Sequence, residues 1–242
     1  MLSRLKSKLR SLGWSDTAFF VAALIVKRAS FGSARLIKYY FVAQPVLQRA
    51  DSSVRGGTSM HLYVSTGADT VITQAPRPTS VFHERFAQGA RCVVAQRDGE
   101  LAGFIWLCPR SYREDEVRCV YKWTPSQAAM WDFDVYIAPQ FRMGRLFVRL
   151  WEKAHSLIRA EGVAWTISRV DAFNAGSLAA HRKLGARTLG RGWFLIAGRM
   201  QFAILSLAPF WHFSVTGSDP ARICFDLSAL GEPPLQTYTG PG

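Results

Sequence analysis

The sequence predicts an α/β fold: a mixed, mostly antiparallel central sheet that contains a parallel strand pair and is flanked by helices, with a helical extension at the N-terminus. Three observations carry this reading. "RCVVAQRDGELAGFIWL" joins two β-rich runs through Asp98-Gly99, a dipeptide that adopts the positive φ angles of a tight hairpin. Residues 131 to 205 read strand, helix, strand, helix, strand, and a long helix between two strands implies a right-handed crossover and a parallel pair. "MLSRLKSKLRSLGW" places Leu2, Leu5, Leu9 and Leu12 at helical spacing among basic residues, as in an amphipathic helix.

At 242 residues the chain suffices for one domain with a sizeable core, and 49% hydrophobic content excludes a wholly disordered polypeptide. The expected organisation is a basic, partly apolar helical extension and linker over 1–58, a catalytic domain over 59–230 and a loose Pro- and Gly-rich tail over 231–242. Net charge is +13, and residues 1–50 hold nine basic residues against one acidic, so the head supplies more than half of it. Such a balance favours anionic partners: phosphate-bearing cofactors, acidic carrier proteins or anionic lipid, with nucleic acid a weaker expectation.

Taking the elements in order, "SDTAFFVAALIVKRAS" opens on Ser15 or Asp16 as a cap, and its apolar core from Thr17 to Val26 falls short of the roughly 20 residues a membrane-spanning helix needs. No small-residue cleavage pattern follows it, so a cleaved signal peptide is not expected. The head is instead expected either to lie on a membrane surface or to cover its own domain, in a cytoplasmic protein that contacts the inner face of the membrane peripherally. "HLYVST" is a short strand and "SVFHERFAQG" a helix ending at Gly89. "EVRCVYKW" and "MWDFDVYIA" are further strands, and simple alternation puts Asp132 and Asp134 on one face of the second. Leu146, Phe147, Leu150, Trp151, Ala154, Leu157 and Ile158 then form one helical stripe closed by Gly162. "VAWTISRV" is a strand, "NAGSLAAHRKLGA" a helix capped by Asn174, and "WFLIAGRMQFAILSL" is again β-rich. Cys92, Cys108, Cys119 and Cys224 form no CxxC pair and no metal-ligand spacing with His, so no metal is expected and the thiols should be reduced and mostly buried.

The turn "APQFRMGRLF" leaves a strand and enters a helix, where backbone N–H groups and the helix dipole favour an anion, and Arg142 and Arg145 add positive charge. "VYIAPQFRMGRLF" followed by "NAGSLAAHRKLGA" resembles the GCN5-related N-acetyltransferase (GNAT) family, in which a strand ending in x-Pro leads into an Arg/Gln-x-x-Gly-x-Gly/Ala turn and a later Asn-headed helix. The resemblance covers roughly residues 60 to 205. It implies that the parallel pair splays and that the donor is acetyl-CoA or another acyl-CoA. Ile137 and the turn residues Arg142, Met143, Gly144, Arg145, Leu146 and Phe147 would then hold the donor, together with Asn174 and Ser177. Arg145 and Phe147 stand where the family has glycines, and Gly144 is one position out.

His181 occupies the place where many family members have a tyrosine that protonates the departing thiolate. A thiol pKa of about 8.5 against about 6.5 for histidine makes that transfer feasible for an imidazolium. Asp134 or Asp132 is the expected base for the attacking amine, with Glu114 and Glu116 as rivals, and Trp165, Ser168, Arg169 and Asp171 are candidates to face the acceptor. The implied reaction is direct attack of a primary amine, a small amine or an amino acid, on the thioester. One alternative is an N-acyl amino acid or acyl-homoserine lactone type synthase fed by acyl carrier protein. The other is a noncatalytic module of the same fold that binds membrane or nucleic acid.

Overall fold

A computed structural model of the chain describes residues 13–47, 60–142 and 144–231. The leucine-spaced segment before residue 13, most of the expected linker, Met143 and the tail from residue 232 lie outside the described residues. The rest forms two compact units whose residues interleave along the chain. Among the described residues the first draws on 13–44, Arg113–Lys122 and Ser168–Phe225, the second on 45–47, 60–112, 123–142, 144–167 and 226–231.

The second unit is built on the expected hairpin. Strands β3 (Arg91–Arg97) and β4 (Glu100–Pro109) pair antiparallel, and Asp98 (φ 53°) and Gly99 (φ 81°) make the turn, both in the left-handed region that a two-residue hairpin loop requires. Around it the strand order is β8-β7-β4-β3-β2, with β2 His61–Ser65, β7 Ala129–Ile137 and the first residues of β8 (Trp165–Asp171). The pairing of β7 with β8 is parallel, as the intervening helix demands. That helix, α3 (Leu146–Ala160), buries Leu146, Leu150, Ala154 and Ile158 against Val93, Ile105, Leu107 and Met130. Phe147, on the expected stripe, is instead exposed, and His155, a polar position not expected there, is buried. On the other sheet face, helix α2 (Thr79–Ala87) brings Phe82 and Phe86 onto Trp106.

In the first unit the strand order is β11-β10-β9-β1-β8, with β1 Ala34–Pro45, β9 Arg187–Ala197, β10 Met200–Leu205 and β11 Trp211–Ser214. The run read as one β-rich stretch is thus a hairpin of β9 and β10 turning at Gly198-Arg199. The N-terminal helix is present as α1 (Trp14–Ala29), but its N-cap is Gly13, without a side-chain bond, in place of Ser15 or Asp16. Asp16 is buried and ion-paired with Lys38, while also accepting from the Tyr40 hydroxyl. β1 follows α1 where no strand was expected. On the opposite face of β1, Phe41 meets Tyr121 on strand β6 (Cys119–Thr124), which follows the short β5 (Ser111–Arg113) in the chain, and Phe225 on strand β12 (Ala221–Asp226). Helix α4 (Ala175–Lys183) begins at Asn174, whose side chain accepts from the Ser177 N–H at 3.1 Å, the cap expected from the sequence. Cys92, Cys108 and Cys119 are buried free thiols and Cys224 is exposed.

Candidate active site

The end of β7 carries the two candidate bases, and a bulge separates them. Against β4, Phe133 pairs with Trp106 and Tyr136 with Phe104, so three steps on β7 match two on β4. Asp134 absorbs the mismatch with φ 44°, a left-handed angle tolerated better by aspartate than by most residues. The expected common face is therefore lost. Asp132 is buried opposite Leu107, on the α3 side of the sheet. Asp134 turns to the α2 side, where Arg85 Nη1 donates to one carboxylate oxygen at 2.7 Å and Arg77 Nη2 to the other at 2.8 Å. Both oxygens of Asp134 are engaged, an arrangement suited to fixing the bulge and poorly suited to taking a proton from an amine. Arg85 is itself buried and stacks its guanidinium over Trp106 and Phe133.

Beyond Ile137 the chain makes a 3-10 turn, Pro139–Phe141, and enters α3 at Leu146 with Arg145 as N-cap. No side chain caps this helix and no acid lies in its first turn. A helix start leaves N–H groups without intrahelical acceptors, so an uncapped, acid-free one is electrostatically open to an anion. Arg142 is exposed and bends back to donate from Nε to the Ile137 carbonyl at 3.1 Å, which occupies that carbonyl and holds the guanidinium at the strand end. Arg145 and Phe147 are exposed at the turn, while Leu146 points into the core. A Cβ added at Gly144 would meet nothing nearer than the Phe141 carbonyl at 3.7 Å, so this glycine is not sterically required by the fold.

In the first unit, His181 is half-buried on α4, with Nδ1 2.8 Å from Gln44 Oε1. Burial lowers its pKa below the ordinary histidine value, so the neutral imidazole is favoured at neutral pH, against the expectation of a readily available imidazolium. Nδ1–H donating to Gln44 leaves Nε2 as the available acceptor. Gln44 is buried in β1 and its Nε2 has no hydrogen-bond partner among the described residues; the same holds for the buried Ser168 Oγ on β8. Leaving such a group unsatisfied costs about 1–3 kcal/mol, so these atoms fit a bound water or ligand. Gln44 was not foreseen, although a glutamine ending the apolar run "YYFVAQ" is the signal that marks it.

Of the other candidates in this unit, Arg169 makes a paired contact with the buried Glu114, at 2.6 and 2.9 Å, and reaches Glu116 at 3.1 Å. Its guanidinium lies 4.4 Å from the Tyr39 ring centre. Burial pushes the Glu114 carboxyl up, opposed by Arg169, and pushes the Tyr39 hydroxyl up as well. Asp171 accepts from the Phe173 N–H and shapes the turn into α4. In the second unit Trp165 donates from Nε1 to the Gly231 carbonyl at 3.3 Å. A groove of about 610 Å³ in that unit, between Arg91, Arg110, Gln127 and Glu161, contains none of the residues expected from the sequence. Among the described residues no group of three or more His, Cys, Asp and Glu is placed to hold a metal ion, and no helix is long and apolar enough to cross a membrane.

Comparison with known proteins adds one strong match. Residues 62–186, just over half of the chain, match the acetyltransferase (GNAT) family. No curated protein matches the sequence. Solved structures of similar shape include a functionally unknown conserved protein from Staphylococcus epidermidis (8% identity, TM-score 0.44, covering 72% of this chain and 67% of that one). A protein from Novosphingobium aromaticivorans assigned to the GNAT family has 15% identity and TM-score 0.44, over 71% of this chain and 64% of that one. A tandem GNAT protein from the clavulanic acid biosynthesis pathway has 16% identity and TM-score 0.44, over 69% and 55%. The chain thus spans about two thirds or less of the length of these proteins.

Proposed function

Because the chain belongs to the acetyltransferase (GNAT) family, we propose that it is an N-acyltransferase that moves an acetyl or longer acyl group from a CoA thioester to a primary amine by direct attack. The observation that carries the donor assignment is the start of α3, uncapped and free of acids, with Arg142 and Arg145 exposed just before it. The N–H groups of this first turn and the two guanidiniums fit a pyrophosphate, and Phe147, exposed beside them, offers an apolar wall. Bound CoA supplies the activated acyl carbonyl and a thiolate leaving group. The protein's task is to orient the donor and to manage two protons, one leaving the amine and one reaching the sulfur.

His181 is the group we assign to the second proton. Its ring is oriented by Gln44, so the neutral imidazole first takes up a proton from water at Nε2 and then passes it to the sulfur; with a lowered pKa that imidazolium is a stronger acid than a free histidine's. Asp134 is assigned to the bulge and not to the base; Asp132 or a water held by backbone carbonyls takes that part. An acyl carrier protein in place of CoA keeps support from the net charge of +13, since carriers are acidic.

Arg142→Glu with Arg145→Glu tests the donor site by calorimetry with CoA. Each charge-assisted contact contributes about 1.5–3 kcal/mol, so affinity should fall at least tenfold, and an unchanged affinity would remove the turn from the site. Release of thiol from acetyl-CoA and from longer acyl-CoAs with a panel of amines tests the reaction, and native mass spectrometry of the freshly purified chain distinguishes retained CoA from a carrier adduct.

A further inference from the structure

The most unusual surface lies in the first unit, on the face of β9, β10 and β11 that also carries the N-terminal helix. In an antiparallel sheet with one solvated face, alternation puts apolar residues inward and polar ones outward. Here the inward positions are filled as expected, by Phe194, Ala203 and Leu205, yet the outward positions are apolar as well. Leu195, Met200, Phe202, Ile204, Trp211 and Phe213 are each between 38% and 65% exposed. The pairing places them side by side: Phe202 lies between Leu195 and Phe213, and Ile204 between Trp193 and Trp211.

The same face continues onto α1. Lys38 pairs across the sheet with Trp193, and its ammonium lies 5.4 Å from the Trp193 ring centre and 6.0 Å from that of Phe19 on α1. Thus α1 covers the β1 part of the face and leaves the β9–β11 part open. On its own outer side α1 exposes Val21, Leu24 and Ile25. A contiguous apolar surface of this kind marks an interaction site.

Charge selects the occupant. The one acidic residue on α1, Asp16, is buried against Lys38, and β9, β10 and β11 carry none, whereas Lys27, Arg28, Arg191 and Arg199 are exposed. A second copy docked symmetrically would set these cations against themselves with no acid to offset them. The segment 2–12 carries Arg4, Lys6, Lys8 and Arg10 and no acid, so it brings no complementary charge either. What satisfies both the apolar centre and the cationic border is a bilayer containing anionic lipid. We propose that the outer face of β9–β11, together with the outer side of α1, docks the protein peripherally on an anionic membrane. The proposal is independent of the donor and acceptor assigned above.

Flotation of the full chain with phosphatidylcholine vesicles, with and without phosphatidylglycerol, tests it. The protein should float with the anionic vesicles and be released by salt. Phe202→Glu with Phe213→Glu should lower partitioning by about tenfold or more with thermal melting unchanged, and Leu5→Glu with Leu9→Glu should keep most of it. Brominated lipid should quench tryptophan fluorescence of the native chain, and Trp211→Phe should remove much of the quenched signal; this arm holds even if the glutamate variant fails to fold. Absence of anionic-vesicle flotation, or its loss only in the Leu5 and Leu9 variant, overturns the assignment. So does a dimer, seen by light scattering without lipid, that the Phe202 and Phe213 substitutions dissociate.

Discussion

Arg85 Nη1 lies 2.7 Å from Asp134 Oδ2, and this contact joins a buried guanidinium on α2 to the one non-glycine residue of β7 in the left-handed region. The ion pair and the bulge stabilise each other. Without the arginine, Asp134 would be a charge with only 14% of its side chain exposed and one remaining, more exposed partner, Arg77.

Arg85→Met should accordingly destabilise the protein by about 3–5 kcal/mol, because it leaves a largely buried carboxylate uncompensated. Arg77→Met, at a side chain 39% exposed, should cost only about 0–1 kcal/mol. Urea melts of the two variants measure the contrast. If Asp134 were the catalytic base and not the anchor of the bulge, Asp134→Asn would abolish turnover at every pH while leaving stability intact. The anchor role predicts the reverse weighting, with stability lost first.

Glycines give a second contrast. A Cβ at Gly103 would lie 2.6 Å from the Tyr136 carbonyl and 3.2 Å from Leu150, at the place where β4 faces the bulged end of β7 under α3. Gly103→Ala should cost about 1–3 kcal/mol through this overpacking and disturb the entry to the turn, whereas Gly144→Ala should be near neutral in stability. Differential scanning calorimetry with CoA titration on both variants checks this, and a large loss at Gly144 would show that the turn needs a conformation only glycine provides.

These two glycines illustrate what the sequence made legible. Gly144 stood out because it falls in a motif, while Gly103, which the packing requires, sits unmarked in an apolar strand. Local chemistry was readable throughout: the Asp98-Gly99 hairpin, the Asn174 cap and the crossover from β7 through α3 to β8 are all short-range signals. Features set by a partner strand were not. The bulge at Asp134 exists only relative to β4, so alternation along β7 alone wrongly grouped Asp132 with Asp134. β1 escaped because most of "ARLIKYYFVAQP" is buried on both faces, which erases the period-two pattern. His181 was visible as a motif position, but its partner Gln44 lies 137 residues earlier, and no local rule connects them.

The orientation of His181 by Gln44 predicts a separable effect. Gln44→Leu removes the acceptor that fixes the ring, so turnover should fall several-fold while affinity for CoA changes little. His181→Phe should lower turnover further, and His181→Tyr should restore part of it. If His181→Phe turns over as fast as the native chain, the proton-transfer role is lost, whatever Gln44→Leu does.

The last prediction concerns a histidine that the chemistry does not use. His155 lies on the buried side of α3, its ring 5.2 Å from that of Trp151, and its Nε2 has no hydrogen-bond partner among the described residues. Burial, with a smaller contribution from Arg159, lowers its pKa from the ordinary 6.5 to about 4. The folded state therefore holds the neutral ring, and between these values the unfolded chain binds more protons than the folded one. Stability rises with pH in that window, so this contribution is complete above about 6.5 and is lost progressively as pH falls toward 4. The difference corresponds to about 3 kcal/mol, since each pKa unit is worth about 1.4 kcal/mol. His155→Phe, which keeps an aromatic ring beside Trp151, should flatten the decline of the urea midpoint between pH 6.5 and 4 without changing the neutral-pH value by more than about 1.5 kcal/mol. A native-like acid slope in that variant would mean that groups other than His155 set the acid sensitivity of the fold.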